Sequence, residues 1–424
     1  MEKYSDYKPS GVQWIGVIPS HWEAKQLRSF LALFTEKGHG DAQLLSVTRE
    51  QGVIERDKDD KEENHNFVPE DLSGYKYIEK GDFAINKMKA WQGSYAVSDY
   101  NGIVSPAYFT CKLRGVNKDF FSRAIRSKAY VPFFTQYSKG IRVGQWDLNP
   151  NALKTIPFFL PPLAEHEKIV SYLDSKTLTI DAYVAERERE LRLLNELKET
   201  EIANVVTQGL NPNVKMKSYK SLLNDACPEH WQIIRNKSFL TLTGEKVGDR
   251  ASDFALLSLT TKGVIIRDIE SGKGKFPKDF DTYQVVKKDE LVFCLFDIDE
   301  TPRTVGLVES EGMITGAYTA LKVNQQIALP EYIYNYYLCV DNIKGLKPYY
   351  SGLRKTVRAD KFLQLYIPLP PIDEQRAIVA HIESKCSKVN SLITELEAEI
   401  EYLKEYKQRL IADCVTGQIN VQNT

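Results

Sequence analysis

Residues 161–173 read PPLAEHEKIVSYL, and residues 370–382 read PPIDEQRAIVAHI, nearly the same sentence 209 positions later. Each opens a long charged segment. The segments end VTQGLN at 206–211 and VTGQIN at 415–420, again 209 positions apart, so the chain is internally duplicated. The prolines that close IPFFLPPL and IPLPPI exclude a helix there, because proline lacks an N–H and drives the residue before it towards extended backbone. An uninterrupted helical pattern follows each. In the second copy Ile382, Val389, Leu396, Leu403 and Leu410 recur every seven residues, with Cys386, Ile393, Ile400, Lys407 and Cys414 four residues after each. This is the a/d seam of a coiled coil.

Shifted back by 209, the seam runs through Leu173, Ile180, Arg187, Leu194 and Glu201, with Thr177, Val184, Leu191, Lys198 and Val205. It is poorer in apolar residues but keeps register, and Lys198 aligns with Lys407. Roughly 40 helical residues at about 1.5 Å each span ~60 Å. A helix of that length with one apolar stripe needs a second to cover it. Another molecule could supply it. Pairing within the chain is the preferred reading, because the duplication provides two stripes of equal length, and antiparallel pairing would place two variable domains at opposite ends of a stiff rod.

Outward from the seams the repeat continues. YK (7–8), PSHWE (19–23), LLSVT (44–48), GVIER (52–56), AY (107–108) and GIR (140–142) return as YK (219–220), PEHWQ (228–232), LLSLT (256–260), GVIIR (263–267), AY (317–318) and GLR (352–354). Runs such as AQLLSV, GVIIRDI and ELVFCLF, broken by Gly, Asp and Lys, predict short strands between turns. KDFFSRAIRSKAYVPFF and PEYIYNYYLCVDNIKG have helical spacing. The expected fold is α+β: variable domains at 1–157 and 213–367, with long-helix regions at 158–212 and 368–424.

A chain of 424 residues, 42% apolar and 27% charged, can build more than one core. No apolar run approaches the ~18–20 residues that cross a bilayer, and the start MEKYSDYKPSGVQW lacks a signal-peptide layout. A cytoplasmic location is expected, with no membrane partner. The six cysteines form no CxxC pair, so reduced and mostly buried thiols are expected.

The net charge of −1 argues at first against a nucleic-acid partner. Its distribution argues the other way. Residues 186–201 hold six Glu against four basic residues, 395–405 hold five Glu against one Lys, and 55–64 hold six acids. Between Phe120 and Trp146, by contrast, Arg123, Arg126, Lys128, Lys139 and Arg142 meet no acid, and between Asn342 and Ala359 neither do Lys344, Lys347, Arg354, Lys355 and Arg358. A charge run is commonly only a solvated face. These two align through GIR and GLR, carry interleaved aromatics and adjoin Gly-containing loops, which favours phosphate contact. Candidate DNA-binding residues here are Lys139, Arg142 and Gln145, then Lys347, Arg354, Lys355 and Arg358. A second candidate is INKMKAWQGSYAV (85–97), where Lys87, Lys89, Trp91 and Gln92 sit in a predicted loop; core packing of Trp91 is the structural alternative. The matching stretch VFCLFDIDETPRTVG differs and leaves Arg303 as counterpart.

Enzymatic readings find little support. No phosphate-binding loop, dinucleotide fingerprint or amine-methylation motif occurs. The six histidines are scattered, and His21 and His230, each in an HW pair after a proline, suit packing at a domain edge better than metal or acid–base work. No catalytic residue and no metal ligand is assigned.

Taken as a set, SGVQWIGVIPSHWE, KMKAWQG, SKGIRVGQW with IPFFLPPLAEHEKIV, VTQGLNPNVKMK and IPLPPIDEQRAIV resemble the specificity subunit of type I restriction–modification systems, across both halves of the chain. His166 departs from that pattern, which has the glutamine seen here as Gln375. The resemblance implies two target-recognition domains, each reading half of a split, asymmetric double-stranded DNA site, with two antiparallel helices setting the spacer. It implies two methyltransferase subunits that bring S-adenosylmethionine and methylate adenine N6, and restriction/translocase subunits that bring ATP and Mg. This chain would then be non-catalytic and hold no cofactor. The rival classes are a coiled-coil adaptor binding DNA without specificity and an unrecognised nuclease.

Overall fold

The computed structural model describes residues 2–57, 69–140, 146–267, 280 and 282–422. It divides into two compact units: Met1–Glu188 with Ala398–Thr424, and Arg189–Glu397. Each contains one mixed domain together with a portion of both long helices, Leu163–Gln208 and Ile372–Val415.

The first unit is built on a four-stranded antiparallel sheet ordered Leu31–Phe34, Phe109–Leu113, Phe83–Ile85, Tyr95–Val97. The second repeats that order with Leu240–Leu242, Thr319–Val323, Glu290–Phe293 and Val305–Leu307. The smaller pairings repeat too. Leu45–Thr48 with Gly52–Glu55 returns as Leu257–Thr260 with Gly263–Ile266. Glu23–Gln26 pairs with Pro157–Leu160, and Gln232–Arg235 pairs with Tyr366–Leu369. The last two pairings tie the strand after each HW to the strand before each Pro-Pro, so the duplication is structural as well as textual.

The predicted strands form over their described residues, GVIIRDI as Gly263–Ile266 with Asp268 and Ile269 outside them, and Pro330–Asn342 is helical as its spacing requires. The run 118–134, with its helical spacing, forms two helices, Lys118–Arg126 and Val131–Tyr137. Ser127 ends the first by donating its Oγ to Ala124 O at 2.7 Å, and Pro132 stands in the first turn of the second, where a missing N–H costs nothing. Phe83, Phe120, Phe121, Tyr130, Phe134 and Phe158 are fully buried around these helices. Burying each such ring contributes roughly 1.5–3 kcal/mol.

Within each unit the long helices pack along the predicted seam. Leu173, Ile180, Val184, Val205, Ile382, Leu396, Ile400, Leu410 and Cys414 are buried, and the remaining seam positions are half-buried. The direction is antiparallel. In the first unit Arg187 Nε lies 3.4 Å from Glu399 and Lys407 Nζ 2.6 Å from Asp181, so numbers fall on one helix as they rise on the other. In the second unit Lys198 Nζ donates to Asn390 Oδ1 at 2.7 Å, and His381 Nε2 lies 2.8 Å from Glu201. The aligned lysines thus each meet an oxygen acceptor on the facing helix, which keeps a half-buried charge solvated.

The helix ends dock on the HW pairs. In the first unit Gly417 (φ +73°) sits so close that a Cβ would lie 2.3 Å from Pro19, while Gln418 Nε2 donates to Val17 O at 2.7 Å. In the second, a Cβ on Gly209 (φ +74°) would lie 2.7 Å from Glu374 Oε1 and 3.5 Å from Trp231. Glycine is required at both for left-handed backbone and for close approach. No described helix is long and apolar enough to cross a membrane.

Candidate nucleic-acid interface

In the first unit the segment around KMKAWQG folds as a turn. Asn86 Oδ1 accepts from Met88 N at 3.2 Å, Ala90–Gln92 make one short helical turn, and Gly93 closes it at φ +97°. Two later segments are fastened to this turn. Leu148 N donates to Lys87 O at 3.0 Å, and Thr135 Oγ1 donates to Trp91 O at 3.0 Å. Ser138–Lys139 pairs with Asp147–Leu148. Lys87, Lys89, Trp91, Gln92 and Lys139, far apart in sequence, therefore share one region.

Lys87, Tyr137, Lys139, Asp147 and Asn149 line a cavity of about 590 Å³ in this region. Trp91 is half-buried, 5.1 Å from the Trp146 ring, with Nε1 donating to Met88 O at 3.2 Å; it braces the turn from the side and is not a core residue. Lys87 Nζ lies 3.0 Å from Asp147 Oδ2. Lys89 and Lys139 are exposed. Arg142 and Gln145 lie outside the described residues.

Two cations of the first basic run have structural work instead. Arg126 donates from Nη1 to Tyr95 O at 3.1 Å and from Nη2 to Arg49 O at 3.1 Å and Glu50 O at 2.9 Å, which pins the hairpin 45–55 to the sheet. Burial lowers its pKa. Arg123 is ion-paired with Asp174.

In the second unit Lys347, Arg354, Lys355 and Arg358 come together around the turn 351–356, which is closed by the Ser351–Thr356 bridge. Asp299 receives Lys347 at 3.2 Å, Lys355 at 3.3 Å and the Tyr350 hydroxyl at 3.1 Å. Partial desolvation raises the pKa of this carboxyl, but those three hydrogen bonds outweigh it and hold the group below its usual range. Arg358 Nε donates to Asp360 at 3.0 Å. Arg354 is exposed, and no described residue takes its guanidinium as an ion-pair or hydrogen-bond partner.

Arg303 is not gathered into this cluster. Its Nη1 lies 3.3 Å from Asp341 Oδ2 and donates to Asn342 Oδ1 at 3.0 Å. Asp341, with only 2% of its side chain exposed, also accepts from Thr304 N at 3.0 Å and Lys344 Nζ at 2.8 Å. Arg303 and Lys344 thus neutralise a buried carboxylate, which would otherwise be strongly destabilising. The acids that engage the basic runs lie just outside their ends (Asp341, Asp360), on a long helix (Asp174) or across the fold in DIDET (Asp299, Glu300), where counting within a window does not find them.

Sequence reasoning also missed the partners of the HW pairs. Glu165, 3% exposed, lies 2.9 Å from His21 Nε2 and accepts from Trp22 Nε1 at 3.2 Å and from the Tyr4 hydroxyl. Burial, then that hydrogen bond, raises the Tyr4 pKa. Glu374 lies 2.7 Å from His230 Nε2. The signal was present, since both carboxylates follow their Pro-Pro pairs at the same offset. Among the described residues no group of His, Cys, Asp and Glu could hold a metal ion. Burial pushes the Cys111, Cys339 and Cys414 thiols up to about 12, so these three are poor nucleophiles.

The internal duplication, the repeated strand order and the two long antiparallel helices are the features to set beside known proteins. Residues 309–402 match the family model for the type I restriction modification DNA specificity domain. The putative type I restriction enzyme MjaX specificity subunit of Methanocaldococcus jannaschii is 22% identical over 437 aligned positions, covering 96% of each chain. The type I restriction enzyme EcoBI specificity subunit of Escherichia coli is 22% identical over 333 positions, covering 72% of this chain and 66% of that one. A chain solved for complex assembly and conformational transition of the type I R-M system superimposes with a TM-score of 0.65 at 14% identity, covering 95% of this chain and 99% of that one. This chain is thus similar in sequence to type I restriction enzyme specificity subunits, and similar in fold to a chain of a type I R-M system.

Proposed function

We propose that this chain is the sequence-specific DNA-binding subunit of a type I restriction–modification complex, that it reads a bipartite, asymmetric site, and that it carries two methyltransferase subunits. The observation behind this reading is the duplication: two domains with one strand order and unlike surface segments, KMKAWQG in the first and FDIDETP in the second. Two readers with different loops suit two different half-sites. Lys89 and Lys139 on one domain, and Arg354 with its neighbours on the other, are exposed to meet phosphate, while Gln92 has the amide that pairs with adenine edges.

On this reading the chain holds no cofactor and catalyses nothing. Its methyltransferase partners bring S-adenosylmethionine and take the target adenine out of the stack, and restriction/translocase partners bring ATP and Mg. Selection from a pool of random duplexes with the purified chain tests the proposal. Enrichment of two short blocks at a constant interval is expected. Equal binding to all sequences, sensitive only to salt, would favour the adaptor reading; cleavage of DNA by the chain alone would favour a nuclease.

A further inference from the structure

The turn 351–356 reads SGLRKT, and at its tip Leu353 has a relative exposure of 105%, the highest among the exposed large hydrophobic residues. The backbone holds it there. Ser351 and Thr356 exchange N–H···O bonds of 3.0 and 3.1 Å, Ser351 Oγ adds a third to Thr356 O at 3.1 Å, and Lys355 N closes onto Gly352 O at 3.2 Å. The turn is also tied to the body of its unit, since Asp297 N donates to Arg354 O at 2.9 Å and Val357 N to Leu295 O at 2.8 Å. Gly352 lies at φ +74° and Lys355 at φ +44°, so two of the tip's four residues adopt left-handed backbone, which is costly for lysine. A strained, well-fastened turn thus projects one leucine into solvent.

Its surroundings are charged, with four cations beside Asp299, Glu300 and Asp360. Arg354 follows it, Lys355 and Lys347 lean on Asp299, and Arg358 stands beyond. A single aliphatic tip beside one unpaired guanidinium and three ion-paired cations offers little apolar area for docking another protein. It matches a nucleic-acid groove, where phosphates form the rims and apolar base surfaces lie inside. The duplication carries the same pattern independently: Gly140-Ile141-Arg142 stands where Gly352-Leu353-Arg354 stands, so a branched aliphatic residue recurs between glycine and arginine. Ile141 lies outside the described residues.

We propose that Leu353 is a specificity-determining residue that makes apolar contact with bases of one half-site, while Arg354 beside it contacts phosphate. This rests on the DNA-binding reading above and assigns the two neighbours different tasks.

The test compares the purified chain with Leu353→Ala, Leu353→Met and Arg354→Ala on random duplex pools and on the duplex that the unsubstituted chain selects. Because Leu353 is fully exposed, its substitutions should leave the unfolding midpoint unchanged. Leu353→Ala should weaken binding to the selected duplex about tenfold and erase preference at one or two positions of a single half-site, with the salt dependence unaltered. Leu353→Met should keep the preference. Arg354→Ala should lower the salt dependence and leave the selected sequence unchanged. Unchanged affinity and unchanged selected sequence for Leu353→Ala overturn the assignment while the DNA-binding reading stands. If the unsubstituted chain selects no sequence, both fall together.

Discussion

The imidazole Nε2 of His21 lies 2.9 Å from Oε2 of Glu165, joining the start of the first mixed domain to the first turn of a long helix. Glu165 is buried and accepts from Tyr4 and Trp22 as well, so its removal leaves several donors without an acceptor. The homologous Glu374 has a 25% exposed side chain. Glu165→Ala should therefore lower unfolding free energy by about 2 kcal/mol or more, and Glu374→Ala by less. Denaturant titration of the two variants checks the order.

His166 stacks on Phe120 at 4.5 Å in a buried position where the second copy has Gln375. Gln375 accepts from Leu329 N at 2.8 Å and donates to Ile327 O at 3.1 Å and Pro370 O at 2.8 Å. Burial lowers the His166 pKa, so the unfolded chain binds the proton more readily than the folded one. The stability associated with neutral His166 is present above the ordinary histidine pKa, near 6.5, and is lost as pH falls through the depressed folded value. His166→Gln should flatten this acid-side loss. Thermal midpoints of both proteins between about pH 7 and pH 5 report it, and identical pH profiles would contradict it.

Leu396 is buried in the helix seam, whereas Lys407 pairs with Asp181 at a partly exposed position. Leu396→Pro breaks both the seam and a helical hydrogen bond, and should cost about 3 kcal/mol or more, with a loss of helical circular dichroism. Lys407→Ala should cost no more than about 1 kcal/mol. Unaltered helicity in the proline variant would count heavily against paired helices.

Arg354 and Arg126 come from the two basic runs, yet the structure separates them. Arg354→Glu should weaken duplex binding about tenfold and lower the salt slope by at least one, with stability unchanged. Arg126→Ala should cost about 2 kcal/mol of stability, because it removes three hydrogen bonds to carbonyls, with the salt slope unchanged. Filter binding across a salt series, beside unfolding curves, separates the two roles.

The seam positions were legible because a heptad pattern needs only residue type and spacing, and burial at Leu396, Ile400 and Leu410 follows it. The duplicated strand order was legible as matched motifs. The split at Ser127–Tyr130 was less so, since Pro132 suits either the start of a helix or the end of one. Which cations are free was not legible. Arg126 and Arg354 have the same chemistry in sequence and differ only in what the fold sets against them: backbone carbonyls for one, solvent for the other. Arg303, read as the counterpart of the KMKAWQG lysines, is set against the Asp341 carboxylate, a pairing the sequence does not show.

The most direct test of the central claim, that this chain gives a methylating complex its DNA address, is a genome-wide map of N6-methyladenine in cells with and without the gene. The account predicts one asymmetric, two-part motif that is methylated when the gene is present and unmethylated when it is removed. A methylation pattern unchanged by removal, in cells that make the chain and its methyltransferase, would contradict it.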